Sequence, residues 1–163
     1  MSDPGRPGAD PVVTDPGTQQ AVEFLGALLT IRAGSNDTAG RFCLVEHQGG
    51  RGYGSPLHLH EEDDETFLVL EGDLRIEVGG SARTAGPGTF ALLPRQVPHG
   101  FVVTSDSARL LTLNLPAGFD RFALEAGTPP GGGGDGPGPL DPQRLTEIAA
   151  HHGVQIIGPP LQP

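Results

Sequence analysis

The 163-residue chain predicts an all-β fold, an antiparallel sandwich or barrel, on three observations. Short apolar runs recur about every ten residues between Ala21 and Leu115, each closed by Gly, Pro or acidic turn residues. No helical periodicity separates them, which disfavours a parallel sheet with crossover helices. Leu74–Val78 alternates cleanly, with Leu74, Ile76 and Val78 on one side and Arg75 and Glu77 on the other, the period of a strand with one face on a core.

The elements follow in order. Gly and Pro number 26 and 17, and 23 of these 43 residues fall within positions 1–18, 126–142 and 158–163. The middle is therefore an ordinary domain, long enough to bury a core. Residues 1–18 are expected to form a disordered arm and residues 19–127 a barrel. Residues 128–141 form a Gly/Pro-rich linker, and residues 142–163 a C-terminal helix and tail. Within the barrel the expected strands are Val22–Ile31, Arg41–His47, a segment through His58 and His60, Thr66–Leu70, Leu74–Val78, Thr89–Leu93, His99–Val103 and Ala108–Leu115. Glu71-Gly72-Asp73 and Gly79-Gly80 mark turns. After the linker, Asp141 supplies an N-cap and Pro142 a first-turn proline. Leu145, Ile148 and Ala149 fall at helical spacing, Gly153 stops the helix, and Val154–Ile157 is a short apolar tail piece. That segment reads either as a lid across the barrel mouth or as a free tail.

Ten Arg and no Lys stand against 20 acidic residues, a formal net charge of −10. So acidic a surface repels phosphate backbones, which argues against nucleic acid and anionic membranes as partners. Cys43 is the single cysteine. It allows no internal disulfide and reads as a small buried apolar residue. The first twenty residues lack the apolar stretch of a signal peptide and no run approaches membrane-spanning length, so the expected location is the cytoplasm.

The chemistry concentrates in Gly52-Tyr53-Gly54-Ser55-Pro56-Leu57-His58-Leu59-His60 and the acidic run Glu61–Glu65. On a strand, His58 and His60 point the same way, so two imidazoles can reach one metal ion. Glu65 shares a face with Phe67 and Val69 and can return a carboxylate to the same ion. Pro94 and Pro98 frame a tight turn before His99, which can complete a site of three imidazoles and one carboxylate if the sheet closes into a small barrel. Glu61, Glu62, Asp63 and Asp64 read as a solvated turn. His47 could face the barrel interior but reads rather as a structural or rim histidine, and His151 and His152 as a solvated helix end. Tyr53 stands at the pocket mouth or is plain packing.

These residues resemble a known family. Gly52-x5-His58-x-His60-x4-Glu65-x6-Gly72 is the first signature motif of the cupins without a gap, and Gly88-x5-Pro94-x4-His99 matches most of the second. Gln96 stands where a glycine is usual and Val103 where an asparagine is usual. The resemblance covers roughly residues 22–116. It implies a small conical antiparallel β-barrel or jelly roll, with His58, His60, Glu65 and His99 as metal ligands. It also implies a homodimer through the N-terminal strands. The tail resembles that of bacterial single-domain cupins similar to quercetin dioxygenase.

Three imidazoles and one carboxylate suit one divalent transition metal ion: Fe, Mn, Ni, Co or Zn. With one ionised Glu the local charge is near +1, so an enolate or phenolate oxygen is attracted into an otherwise acidic protein. Phe67, Val69, Leu93, Phe101, Leu111 and Leu113 are expected to form an apolar wall behind that oxygen. The expected partner is thus a small molecule. The expected function is a metal-dependent dioxygenase acting on a small enolic or phenolic compound, with Glu65 as catalytic base. The alternatives are an oxygen-independent cyclase or isomerase using the metal as a Lewis acid, and a non-catalytic binding cupin.

Overall fold

The computed structural model describes residues 10–132 and 140–163. Residues 1–9 of the expected arm and residues 133–139 of the expected linker lie outside them. Two antiparallel sheets face each other. Their strands are β1 (Ala21–Phe24), β2 (Ala27–Ala33), β3 (Cys43–Gly50), β4 (Pro56–His60), β5 (Asp64–Glu71), β6 (Leu74–Val78), β7 (Ser81–Ala85), β8 (Phe90–Leu93), β9 (His99–Val103), β10 (Ser107–Leu115) and β11 (Val154–Pro160). Helices α1 (Phe119–Ala126) and α2 (Pro142–His151) lie between β10 and β11. One sheet has the order β1-β2-β3-β10-β5-β8 and the other β11-β4-β9-β6-β7. This is the expected all-β barrel with a short C-terminal helix.

The tight turns explain where single apolar runs divide. Val22–Ile31 is a hairpin of β1 and β2 rather than one strand, because Leu25 and Gly26 both take positive φ, 50° and 82°. That is the backbone of a two-residue hairpin turn. Leu25 hides the turn from a pattern reading because it is apolar. Gly79 and Gly80 turn β6 into β7 in the same way, with φ of 56° and 81°. β7 has no apolar alternation and four of its five residues are exposed. It exists because β6 pairs with it from Leu74↔Ala85 to Val78↔Ser81.

The interior is filled from both sheets. Leu29, Val45, Leu74, Leu93, Leu110 and Val103 are completely buried, with Phe67 and Val69 almost so. Strand β10 reverses an expectation. Its inward residues are Leu110, Thr112 and Asn114, all fully buried, while Leu111 and Leu113 face outward and are only half-buried. Leucines on both sides of β10 leave the hydrophobic period ambiguous. The register with β3, Leu110↔His47 and Thr112↔Val45, decides it. Cys43 is buried as expected, and burial pushes its thiol up to about 11 against hydrogen bonds from the backbone of Gly118 and Asp120.

Two further segments are tied down. Thr14 Oγ1 donates to the Arg32 carbonyl at 2.8 Å and Gln19 Nε2 donates to Thr14 Oγ1 at 2.9 Å, so the chain follows β2 before β1 begins. The tail is strand β11, which pairs with β4: Val154 opposite His60 and Ile156 opposite His58. Helix α2 starts where Asp141 accepts from the Arg144 backbone N–H at 2.8 Å, the N-cap bond its sequence predicts. It buries Leu145, Ile148 and Ala149.

Candidate metal centre

Strand β4 places His58 and His60 on its inward face, both buried, with Leu59 turned outward. His99 opens β9 directly across from His58. Glu65 comes from the opposite sheet, inward on β5 between Leu93 and Asn114. The barrel thus brings together all four residues expected as ligands, and their donor atoms lie within 4.8 Å of one another. The His58 and His99 rings are 4.5 Å apart, and those of His60 and His99 are near parallel at 5.4 Å.

Hydrogen bonds settle which ring nitrogen faces the cluster. His58 Nδ1–H donates to the Pro56 carbonyl at 2.8 Å and His99 Nδ1–H to the Val97 carbonyl at 2.9 Å. His60 Nδ1–H donates to the Asp63 carboxylate at 3.0 Å. Each ring is thereby held with Nε2 turned toward the cluster, where His99 Nε2 is within hydrogen-bond distance of Glu65. Glu65 Oε2 lies 3.0 Å from His99 Nε2 and 3.4 Å from His60 Nε2. Donor atoms sharing a divalent ion at about 2.1 Å stand roughly 3–4 Å apart, so these separations fit a common ion. His60 Nε2 is buried without a hydrogen-bond partner, a position that a metal ion satisfies and an apolar core does not. The donor set therefore fits a divalent transition metal.

The electrostatics are those of a buried, mutually compensating cluster. Burial presses the His60 imidazolium down, but the Glu65 and Asp63 carboxylates outweigh it and raise its pKa to about 10. Burial opposes ionisation of Glu65, yet His60 and His99 hold its carboxyl well below the ordinary range. His58 falls to about 4 through burial and the neighbouring His99 and His60, with Glu65 opposing. So compact a set of charged and chargeable groups is costly unless paired or ligated.

Asp63 belongs to this site, contrary to its reading as part of a solvated turn. Besides His60 it accepts from Asn114 Nδ2 at 2.8 Å. It therefore fixes the ring of His60 and anchors a fully buried side chain of the opposite sheet. Asp64 pairs with Arg95 at 3.1 Å, while Glu61 and Glu62 are exposed as expected. The turn before His99 places Gln96 at φ 63°. That is the left-handed conformation a glycine adopts freely, so the departure from the cupin pattern keeps the backbone geometry. Gln96 N–H donates to the His60 carbonyl at 2.7 Å, joining the two ligand-bearing segments.

A cavity opens from the cluster, lined by His47, Tyr53, Phe101, Phe119, Phe122 and Leu145 together with His58, His60 and Glu65. Its free volume is about 50 Å³, room for only a few waters. Of the expected apolar wall only Phe101 lines it. Phe67, Val69 and Leu93 are buried elsewhere in the core and Leu111 and Leu113 face outward. The apolar residues in their place come from the β1 hairpin, α1, α2 and β11, of which the sequence offered only the C-terminal helix, as a lid. His47 is inside the barrel rather than at its rim. Its parity with Val45 on β3 was the signal available. Tyr53 lines the cavity and is buried. His151 is exposed as expected, but His152 binds Glu125 at 2.6 Å and stands edge-on to Phe122.

This two-sheet barrel with its converging histidines has the cupin fold. Residues 44–114 match the family profile of the cupin domain. Over 100 residues the chain is 29% identical to quercetin 2,3-dioxygenase of Bacillus subtilis (strain 168), covering 61% of this chain and 30% of that protein. The chain thus spans less than a third of that relative's length. Among solved structures, the polyketide cyclase RemF from Streptomyces resistomycificus is similar at 27% identity with a TM-score of 0.54, over 65% of this chain and 80% of that one. An RmlC-like cupin from Shewanella frigidimarina shares the fold, with a TM-score of 0.60 at 18% identity over 69% of this chain and 96% of that one. No helix among the described residues is long and apolar enough to cross a membrane.

Proposed function

We propose that this protein is a metal-dependent dioxygenase acting on a small, flat compound that carries an enolic or phenolic hydroxyl. The observation that carries this reading is the convergence of three imidazoles and one carboxylate, with His58, His60 and Glu65 of that cluster opening on an aromatic-walled cavity. His58, His60, Glu65 and His99 would hold the ion. A bound divalent ion supplies Lewis acidity that favours the deprotonated form of a hydroxyl beside it. Among the described residues Glu65 is the only carboxylate lining the cavity, and it accepts that proton as general base. The free volume of about 50 Å³ is too small for such a compound, so Phe119, Phe122 and Leu145 of α1 and α2 have to move outward to admit it beside Phe101. The enolate so formed is electron-rich at carbon, where dioxygen would react with both of its oxygen atoms entering the product. Similarity to a quercetin dioxygenase supports this choice of chemistry.

A specific observation favours a second reading, an oxygen-independent cyclisation at the same centre. The polyketide cyclase matches over four-fifths of its own chain, the dioxygenase over less than a third. Elemental analysis of protein purified without added metal, followed by a panel of flavonols and enolic polyketides assayed in air and under argon, separates the two. Oxygen uptake matching product formation is the expected result, and Glu65→Gln abolishes it. Turnover that persists under argon overturns the dioxygenase reading in favour of the cyclase. Ligand binding without any product identifies a binding module instead.

The assembly proposed is a homodimer. The outer face of the larger sheet leaves Phe90 64% and Leu92 54% exposed on β8, beside Leu68 on β5, an apolar surface suited to a second copy.

A further inference from the structure

Outside the metal cluster, the one strongly polar pair in the cavity wall is His47 and Tyr53. We propose that Tyr53, held by His47, is a second polar anchor for the substrate, one that selects polyhydroxylated aromatic compounds over those with a single hydroxyl. This rests on the function proposed above, in which one oxygen of the substrate sits at the cluster.

Tyr53 is fixed at every level. Its N–H donates to the Gly50 carbonyl at 3.0 Å and its carbonyl accepts from Val103 N–H at 2.7 Å. Its ring lies so close on Gly49 that a Cβ there would collide with it, and Phe101 meets it edge-on at 5.5 Å. The hydroxyl is 2.7 Å from His47 Nδ1, and His47 Nε2 is 3.0 Å from Thr112 Oγ1. Phe119 stacks on the imidazole at 5.6 Å and 11°. The phenol therefore cannot swing away from the cavity without breaking this arrangement.

The pair can serve two kinds of ligand atom. Burial keeps His47 neutral by lowering its pKa to about 4 against the pull of the Glu65 and Glu46 carboxylates. A neutral imidazole carries one N–H and one lone pair. With the proton on Nε2, Thr112 accepts it, Nδ1 accepts the Tyr53 O–H, and the phenol offers lone pairs to a ligand. With the proton on Nδ1, Tyr53 accepts from the ring, Thr112 donates to Nε2, and the phenol O–H is free to donate. Among the described residues His47 is the only hydrogen-bond partner of that hydroxyl, so capacity remains on either tautomer. A ligand that fills this wall without an oxygen of its own forgoes the hydrogen bond still open on the Tyr53 hydroxyl and binds more weakly than one that makes it.

Tyr53 is the only tyrosine and the chain has no tryptophan. Protein labelled with [13Cζ]tyrosine therefore gives one resonance, which reports the state of this hydroxyl directly. The zinc-loaded full chain is titrated with resorcinol and phenol, and with quercetin and 3-hydroxyflavone. Resorcinol and quercetin are expected to shift the resonance, and Tyr53→Phe to weaken their binding about tenfold or more. The same substitution is expected to change phenol and 3-hydroxyflavone binding less than about twofold. A purely structural tyrosine would weaken all four alike, and that result overturns the proposal. So does binding of resorcinol or quercetin, followed by the probe's own signals, with the tyrosine resonance unmoved. The wild-type measurement decides even if the variant fails to fold. Should none of the four probes bind, the phenolic function itself fails and the anchor falls with it.

Discussion

Asp63 joins a candidate ligand, His60, to a buried amide on the opposite sheet, and replacing it by alanine removes both links at once. In the metal-free protein the substitution leaves His60 Nδ1–H and Asn114 Nδ2 without the acceptor they now share. Asn114 Oδ1 is already unpartnered, so its whole side-chain amide would be buried unsatisfied. Each orphaned group costs about 1–3 kcal/mol, giving a loss of roughly 2–6 kcal/mol in urea unfolding of the apo chain. Metal binding suffers separately, because His60 loses the group that fixes its tautomer and ring angle. Such outer partners are worth about 10–100-fold in affinity, or about 1.4–2.7 kcal/mol. The assay is competition for Zn(II) against a chelator of known affinity, run on wild type, Asp63→Ala and Asp63→Asn. Asparagine keeps an acceptor for Nδ1–H and, with Asn114 turned over, a bond between the two amides. It should recover most of the folding loss while remaining weaker than wild type toward the metal. Unchanged zinc affinity in the alanine variant would refute the role given to Asp63.

Other outcomes follow from the same geometry. His47 has a folded pKa of about 4 against an ordinary value of 6.5, so the unfolded chain takes up its proton first as pH falls. Its contribution is complete above pH 6.5 and drains away toward pH 4, by about 3 kcal/mol. His47→Gln should remove that increment from the wild-type pH profile of urea unfolding, and an identical slope in both proteins would contradict its neutral burial. Truncation after Gly127 removes Leu145, Ile148 and Val154, three buried apolar side chains each worth about 1.5–3 kcal/mol. We expect the melting temperature to drop by more than about 10 °C, and unchanged stability and kinetics would show that the segment is dispensable. Phe90→Glu places a charge in the proposed dimer face. Light scattering should report a dimer for wild type and a monomer for the variant at equal concentration, and a monomeric wild type would end the dimer proposal.

The sequence carried the site more plainly than its surroundings. Four candidate ligands from three strands converge on one point, and that convergence leaves fixed spacings along the chain, His58 to His60 and on to Glu65. Strands with a single buried face, such as Leu74–Val78, were equally readable because their period is two. The cavity wall was not, for physical reasons. Thr112 and Asn114 lie inward because polar partners, His47 and Asp63, await them there, an arrangement no hydrophobic period encodes. Asp63 looks like its neighbours in an acidic run, and only the fold sets it apart. Helix α1 is eight residues long and buries Asp120, whose carboxylate binds Ser35 N–H and Oγ at 2.6 Å. So short an element with a charged interior residue leaves little amphipathic signal.

Strand β11 lies against β4, yet it reaches the barrel only through the Gly- and Pro-rich stretch. A break in the chain between Gly132 and Leu140 would sever none of the contacts among the described residues, while the backbone ladder from Val154 to Pro160 would still join the two pieces. Residues 140–163 could then be supplied as a separate peptide. Reassembly of the two pieces would restore the pairing of β11 with the strand that carries His58 and His60.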